Sequence, residues 1–144
     1  MKLDDIHDQW TVDCTLDKTD LSSASRDVPK LHSKYLRIFS GERMRLRSLE
    51  EQRKSLVKLK HDYYRGLLSP EELQENGWDP FQLSVLKSDL PMYIEADKDI
   101  IELNLKIAIQ QEKVDVLESI LRSINNRGYL IKGVIDWEKF QMGA

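Results

Sequence analysis

Val28–Leu67 reads VPKLHSKYLRIFSGERMRLRSLEEQRKSLVKLKHDYYRGL, and this stretch has the periodicity of one long helix. Its apolar residues fill a and d positions of a heptad frame, with polar interruptions at Glu42, Arg45 and Gln52. The apolar positions are Val28, Leu31, Tyr35, Ile38, Leu49, Leu56, Leu59 and Tyr63. At about 100° per residue, basic residues collect on roughly the opposite side; they are Arg43, Arg47, Lys54, Lys58, His61 and Arg65. A helix with one apolar side and one cationic side is suited to binding a polyanion.

The charge of the chain is unevenly distributed. The formal net charge is −3, yet residues 26–65 carry 12 Lys and Arg against 5 Asp and Glu. Residues 1–25 have 2 basic against 6 acidic residues, and residues 66–144 have 8 against 14. Because salt screens charges beyond about 8 Å, the basic block dominates its own surroundings. The sequence therefore predicts a local polyanion site within an acidic protein.

A second long helix is predicted from about Tyr93 to Asn125. Its a and d positions are apolar except for Gln110. Further apolar residues widen the stripe beyond a two-helix seam; they are Ile101, Leu105, Ile109, Val116 and Ile120. We therefore expect this helix to pack against other subunits as well. The expected oligomerisation residues are Ile100, Leu103, Ile107, Val114, Leu117, Leu121 and Ile124.

Shorter segments flank the two long helices. After Gly66, Ser69-Pro70-Glu71-Glu72 predicts a capped helix start that Asn76-Gly77 ends, and Gln82–Lys87 predicts another helical turn. The spacing of Leu3, Ile6 and Trp10 predicts a short N-terminal helix, whereas Thr11–Asp17 is more typical of extended chain. Pro29 either kinks one helix or lies in the first turn of a second. The tail, Tyr129–Ala144, is predicted to be helical.

The predicted fold is all-α: two long amphipathic helices joined by a short helical reversal, assembling into a homo-oligomer. Residues 1–92 would form the basic-helix region with the polyanion site, and nucleic acid is the expected polyanion. Residues 93–144 would form the C-terminal oligomerisation region. At 144 residues, both regions fit within one compact domain.

Signals for catalysis or metal binding are weak. Cys14 is the only cysteine, so no intrachain disulfide or CxxC site can form. The three histidines are far apart in the sequence, and no Gly-rich phosphate loop or GxSxG motif is present. Glu95, Asp97, Asp99 and Glu102 are better explained by the dipole at a helix start than by a metal site. We expect a non-enzyme without metal or cofactor, and, with no signal peptide or long apolar run, a soluble intracellular protein.

The basic side of the first helix is more than a solvated charged face. Few acids lie at the spacing that would pair with its cations; they are Glu42, Glu50, Glu51 and Asp62. Tyr63 and Tyr64 follow the cations, and single-strand binders place aromatic rings beside Lys and Arg. Tyr63 lies on the apolar stripe, and Tyr64 is freer. Lys58 and Lys60 diverge by about 200° on an ideal helix, so either DNA passes between subunits or the helix is irregular near His61.

Four ordered blocks of the chain resemble the UvsY-type recombination mediator proteins of T-even-like bacteriophages. The first block is Leu31-His32-Ser33-Lys34-Tyr35-Leu36, and the second is Val57-Lys58-Leu59-Lys60-His61-Asp62-Tyr63-Tyr64-Arg65-Gly66. The third is Ala96-Asp97-Lys98-Asp99, and the last is Asn126-Arg127-Gly128-Tyr129-Leu130-Ile131-Lys132. Order and spacing carry the resemblance over nearly the whole chain. The basic residue Arg65 precedes Gly66, whereas the family prototype has one after the glycine.

The resemblance implies a non-enzymatic, mostly helical protein that forms a hexameric or heptameric ring. It implies binding of single-stranded DNA, destabilisation of the DNA complex with the phage single-strand-binding protein, and loading of a UvsX-type recombinase. The family segment implicated in DNA contact maps onto Lys58, Lys60, Tyr63 and Tyr64. The expected location is the cytoplasm of the infected bacterial host.

Together, charge and resemblance predict a recombination mediator. We expect Arg43, Arg47, Lys54, Lys58, Lys60 and Arg65 to contact phosphates, and Tyr63 and Tyr64 to contribute aromatic surface. The alternative is a helical adapter whose basic face binds an acidic protein, with Trp10, Trp78 and Trp137 as interface residues. Steep salt dependence of oligonucleotide binding would separate the two.

Overall fold

The computed structural model describes residues 1–143, and this part of the chain contains helices and no strand. The all-α prediction is confirmed. The α-helices are α1 (Leu3–Asp13), α2 (Leu21–Arg26), α3 (Val28–Tyr64), α4 (Pro70–Asn76), α5 (Leu90–Glu95), α6 (Lys98–Asn125) and α7 (Arg127–Gln141), with a 3-10 turn at Lys87–Asp89. The chain divides into two units: Met1–Arg45 with the chain from Ile109 onward, and Leu46–Ala108. The functional division predicted at residue 92 concerns DNA binding and assembly, and stays a prediction.

The two ends of α3 have clear local causes. The Asp20 side chain accepts a hydrogen bond from the Ser23 amide and caps α2, which ends before α3 begins at Val28. Pro29 therefore lies in the first turn of a new helix, where its missing N–H costs no helical hydrogen bond. At the other end, Gly66 takes a left-handed φ of 71°. The Leu67 amide donates to the Asp62 carbonyl at 3.0 Å, which closes the helix.

The core of the first unit is built on α1, α3 and α6. Five side chains are buried there: Ile6, Tyr35, Leu117, Ile120 and Ile124. The Tyr35 hydroxyl donates to Asp13 at 2.8 Å, and Lys34 donates to the same carboxylate oxygen at 2.6 Å. Helix α1 continues to Asp13. The expectation that Thr11–Asp17 is extended is therefore wrong for its first three residues.

The polar interruptions of the two heptad patterns meet each other in this unit. Gln110 donates its side-chain Nε2 to the Glu42 carboxylate at 2.6 Å and to the Glu42 carbonyl at 2.8 Å. Both side chains are buried. Lys113 and the Met1 ammonium lie 4.0 and 3.8 Å from the same carboxylate. A pair of buried polar residues that satisfy each other fixes the register of the two helices more sharply than another apolar pair would.

The tail of the chain forms α7, which confirms the helical prediction for its described part. Its first residue, Arg127, is buried and donates to the carbonyls of Cys14 and Thr15, each at 3.1 Å. These carbonyls follow the C-terminal end of α1 and have no further helical turn to accept from. A planar guanidinium with several donors can satisfy both at once. Arg127 therefore ties the start of α7 to the end of α1.

Local signals predicted part of the second unit and missed another part. Ser69 accepts from the Glu72 amide, Pro70 begins α4, and Gly77 ends it with a left-handed φ of 67°, as predicted. The predicted helical turn at Gln82–Lys87 is wrong, because the only turn there is the 3-10 turn that starts at Lys87. The predicted single helix from Tyr93 is interrupted at Ala96–Asp97, which separates α5 from α6.

Most of the predicted oligomerisation residues are already buried or half-buried within one chain. Ile100, Val114, Leu117 and Ile124 are buried, and Leu103, Ile107 and Leu121 are half-buried. Contacts of these side chains with other subunits stay a prediction. Apolar residues that remain exposed lie on another side of α6 and along α7; they are Ile101, Leu105, Ile109, Tyr129, Leu130, Trp137 and Phe140.

Candidate nucleic-acid interface

An exposed row of cations follows α3 through the second unit. Arg47, Lys54, Lys58 and Arg65, named here the exposed cation stripe, recur at intervals that return to the same side of a helix at about 100° per residue. All four residues are exposed, and the Lys58 side chain keeps 83% of its accessible surface. From Arg47 to Lys58 the stripe extends about 16 Å, at about 1.5 Å per residue.

The acids near the stripe neutralise it only weakly. Lys54 contacts Glu51 at 2.9 Å, and Lys58 lies 3.5 Å from Asp62. The hydrogen bond to Glu51 raises the pKa of Lys54 above its ordinary value of 10.5, so this amine stays charged at neutral pH. Pairs whose lysine is this exposed, 73% for Lys54 and 83% for Lys58, contribute little and are screened by salt. The stripe therefore remains able to bind an anion.

Other cations of α3 point elsewhere and are anchored within the unit. Arg53 donates to Asn104 at 2.7 Å and to Glu95 at 2.8 Å. The Lys60 ammonium lies 3.1 Å from Asp97 and 2.8 Å from Asp99. Lys60 is only 3% exposed. The cations of the stripe and these anchored cations look alike in the sequence but have different surroundings in the structure. Lys60 is shielded from solvent.

The Asp97 carboxylate is the common partner of several of these contacts. One of its carboxylate oxygens accepts from the amides of Asp99 at 2.8 Å and Ile100 at 3.2 Å, which caps the start of α6. The other accepts from the Tyr64 hydroxyl at 2.6 Å and lies 3.1 Å from the Lys60 ammonium. We name Lys60, Tyr64, Asp97 and Asp99 the Asp97 clamp. It joins the last turn of α3 to the first turn of α6.

Aromatic rings surround the Asp97 clamp. Tyr64 packs edge-on against Phe81 at 4.9 Å and lies 5.6 Å from Tyr93, measured between ring centroids. The Lys60 ammonium sits 3.7 Å from the centroid of the Trp78 ring, a distance at which a cation is attracted to the ring face. Tyr63 packs on Trp78 at 5.2 Å. The turn that carries Trp78 and Phe81 therefore covers the end of α3.

The predicted site residues fall into three groups in the structure. Arg47, Lys54, Lys58 and Arg65 come together on the exposed cation stripe. Lys60, Tyr63 and Tyr64 lie in the clamp and its aromatic surround, and the hydroxyls of both tyrosines are bonded, that of Tyr63 to the Asp79 carbonyl at 2.6 Å. Arg43 lies in the first unit, 5.0 Å from the Phe39 ring centroid.

The divergence of Lys58 and Lys60 on an ideal helix now has a structural explanation. α3 is unbroken through His61, so no irregularity brings the two lysines together. Lys58 is exposed and Lys60 is buried in ion pairs. Contact of Lys60, Tyr63 or Tyr64 with DNA stays a prediction, and each would first have to leave the partners it has here.

Arg53 was not among the predicted site residues, although it anchors the same side of α3 as the clamp. The signal that could have found it is the spacing of Arg53, Lys60 and Tyr64, which places all three on one side of the helix. Acids and amides at the start of the second long helix supply their partners. This matching of polar residues over two distant segments is not visible from either segment alone.

Acid should weaken the Asp97 clamp. Burial alone would raise the pKa of Asp97, but hydrogen bonds from Tyr64 and Lys60 hold the pKa of this carboxyl below its ordinary value of 3.8. A depressed folded-state pKa stabilises the fold above the ordinary value, and this stabilisation is lost as the pH falls through the folded-state value. We expect thermal unfolding between pH 7 and 3 to show a steeper loss of stability below about pH 4 in the wild type than in Asp97→Asn. Parallel curves for the two proteins would contradict this expectation.

Two further observations concern the described residues. Within residues 1–143, no group of three or more His, Cys, Asp or Glu side chains is arranged to hold a metal ion. Among the helices of the same range, none combines the length and the hydrophobicity needed to cross a membrane.

Fold and surface define a class: an all-α protein in which one long helix presents a row of unburied cations. The chain belongs to the UvsY family of phage recombination mediator proteins, whose family model, described as "Recombination, repair and ssDNA binding protein UvsY", matches residues 9–144. The recombination protein uvsY of Enterobacteria phage T4 is 26% identical over 143 residues, which cover 99% of this chain and 99% of that protein. The resemblance proposed from the sequence is confirmed.

The fold agrees with solved structures of that relative. A crystal structure of the bacteriophage T4 recombination mediator protein UvsY, in lattice type II, superposes with a TM-score of 0.84 at 26% identity, covering 99% of this chain and 98% of that chain. A second one, in lattice type I, has a TM-score of 0.81 at 25% identity, covering 95% of this chain and 98% of that chain.

Proposed function

We propose that this protein binds single-stranded DNA through the exposed cation stripe and acts as a mediator that helps load a UvsX-type recombinase. The observation that carries the proposal is the separation of the α3 cations. Lys60 is buried against Asp97, and Arg53 is half-buried and bonded to Asn104 and Glu95. Lys54 and Lys58 contact only acids one turn away on the same helix, and their side chains stay 73% and 83% exposed. Cations that fold stability does not require are the ones available for phosphates.

Assembly would multiply the affinity of a single stripe. The exposed apolar side of α7 includes Trp137 and Phe140, whose rings stack at 5.7 Å and are 59% and 72% exposed. Exposed apolar surface of this kind marks an interaction site. We propose that it packs against further copies of the chain in a ring of six or seven subunits. One strand that crosses several stripes would then be held by avidity.

The proposed mediator activity follows if the single strand wraps around the ring and crosses several stripes. A strand bent over several stripes has altered spacing between its bases, which lowers the affinity of a competing single-strand-binding protein for the same DNA. The recombinase can then nucleate on the freed strand in the cytoplasm of the infected host. The partners in this proposal are single-stranded DNA, the recombinase and the phage single-strand-binding protein.

Salt dependence tests DNA binding directly. The wild type and Lys58→Ala would be titrated onto a fluorescently labelled single strand over a series of salt concentrations, after light scattering has shown equal oligomer mass. We expect the logarithm of the wild-type affinity to fall by about 0.7 per phosphate neutralised for each tenfold rise in salt. Loss of Lys58 should lower the affinity and make this slope shallower.

Lys106→Ala is the matched control, because Lys106 is an exposed lysine of the same unit that lies on α6 and pairs with Glu102 at 3.8 Å. It should leave both affinity and slope unchanged. A wild type that does not bind, or a Lys58→Ala variant indistinguishable from it, would favour the adapter that binds an acidic protein.

A further inference from the structure

Lys60 lies within the segment proposed to contact DNA, yet its surroundings are those of an interior residue. The residue is 3% exposed, and its ammonium lies 3.1 Å from Asp97, 2.8 Å from Asp99 and 3.7 Å from the Trp78 ring centroid. An ammonium has three donors and no acceptor. Two carboxylates and a ring face therefore use most of what Lys60 can offer to any ligand.

Movement of the Lys60 ammonium toward a phosphate would carry a large free-energy cost, because its carboxylate partners would lose their cation. Asp97 is buried, and removal of one member of a buried ion pair leaves an uncompensated charge in a poorly solvated place. A phosphate of a solvent-exposed single strand would replace only part of that interaction. The balance favours Lys60 remaining in the Asp97 clamp when DNA is bound.

The clamp also fixes where the neighbouring cations of the stripe lie. The same Asp97 oxygen accepts from Tyr64, the last residue of α3, and Arg65 follows directly. Lys58 precedes Lys60 by two residues on the opposite side of the helix. The contacts of this helix end with α6 and with the Trp78 turn oppose its fraying, which favours a constant separation of Lys58 and Arg65.

We propose that Lys60 is a positioning residue for DNA binding: it holds the end of α3 through Asp97, Asp99 and Trp78 and does not contact phosphate. This inference rests on the proposed function of the exposed cation stripe. It assigns the two lysines of the Lys58-Leu59-Lys60 segment to different tasks, with Lys58 binding the strand and Lys60 keeping Lys58 and Arg65 in position.

The test compares Lys60→Met with Lys58→Met in the full-length protein at a temperature where both are folded and equally assembled. For Lys60→Met we expect single-strand affinity to fall by about 5- to 10-fold with an unchanged salt slope, because Lys58 and Arg65 still neutralise the same number of phosphates but from less favourable positions. Lys58→Met should lower the slope. Lys60→Arg should restore affinity, because a guanidinium can pair with both carboxylates and stack on Trp78.

Asp99→Asn keeps the test decisive if Lys60→Met does not fold, since Asp99 is partly exposed and its loss only weakens the clamp. Removal of an acid near DNA would by charge alone strengthen binding. The positioning role predicts weaker binding instead, with the slope unchanged.

Three results would overturn the proposal. One is a slope for Lys60→Met that falls as much as for Lys58→Met, which would make Lys60 a phosphate contact. Another is tighter binding by Asp99→Asn, which would mean that Asp99 restrains a DNA-binding lysine. The third is unchanged affinity in both clamp variants, which would leave Lys60 a purely structural residue. Failure of the proposed function is recognised separately, because the wild type itself would then not bind.

Discussion

Reversal of two charges on the exposed cation stripe, by Arg47→Glu together with Lys58→Glu, is expected to lower single-strand affinity at least about 100-fold near 0.05 M salt. Each subunit would lose two phosphate contacts and gain two repulsive charges. In a multi-subunit assembly this loss recurs at every stripe that the strand crosses. Anisotropy with a labelled oligonucleotide would measure the effect, and circular dichroism would show that the helices are retained.

Lys98→Glu together with Lys106→Glu is the matched control. It makes the same change in net charge on exposed residues of α6 in the same unit. We expect less than a threefold loss of affinity, since long-range repulsion is largely screened. Equal losses in the two double variants would show that overall charge, and not the stripe, determines binding.

Removal of the central carboxylate, by Asp97→Ala, is expected to reduce the free energy of unfolding by about 3–5 kcal/mol. The variant leaves the Lys60 ammonium buried with one carboxylate partner fewer and leaves the Tyr64 hydroxyl without its acceptor. It also removes the cap of α6, a loss that typically costs about 1 kcal/mol by itself. Denaturant unfolding followed by circular dichroism would give the change.

Two further variants make this result specific. Asp97→Asn retains a side-chain oxygen that can cap α6, so its loss of stability should be smaller than that of Asp97→Ala. Asp89→Ala removes an exposed aspartate from the nearby 3-10 turn and should change stability by less than about 0.5 kcal/mol. An Asp97→Ala protein as stable as Asp89→Ala would refute the clamp as a stabilising element.

Elements with local causes were predictable from the sequence. The long α3 follows from its apolar period, and α4 follows from the Ser69 cap, Pro70 and the left-handed Gly77. Such signals depend on residues within a few positions of one another. The break at Ala96–Asp97 was missed because the apolar pattern continues across it, while the cap that creates the new helix start is the Asp97 carboxylate.

The candidate site was only partly predictable, because burial depends on distant partners. A count of cations treats Lys58 and Lys60 alike, yet only Lys60 meets Asp97 and Asp99. The same limit applies to the apolar stripe of α6. Period alone cannot tell burial within one chain, as for Leu117, from burial between chains, as proposed for the exposed apolar residues.

The most direct measurement is the reactivity of individual lysines toward an amine-acylating reagent, quantified by mass spectrometry with and without single-stranded DNA. Before DNA is added, Lys54, Lys58 and Lys106 should react, because they are exposed, and Lys60 should not. With DNA bound, Lys54 and Lys58 should be protected, Lys106 should react as before, and Lys60 should stay unreactive. If bound DNA left Lys54 and Lys58 as reactive as Lys106, the exposed cation stripe would not be the DNA-binding site.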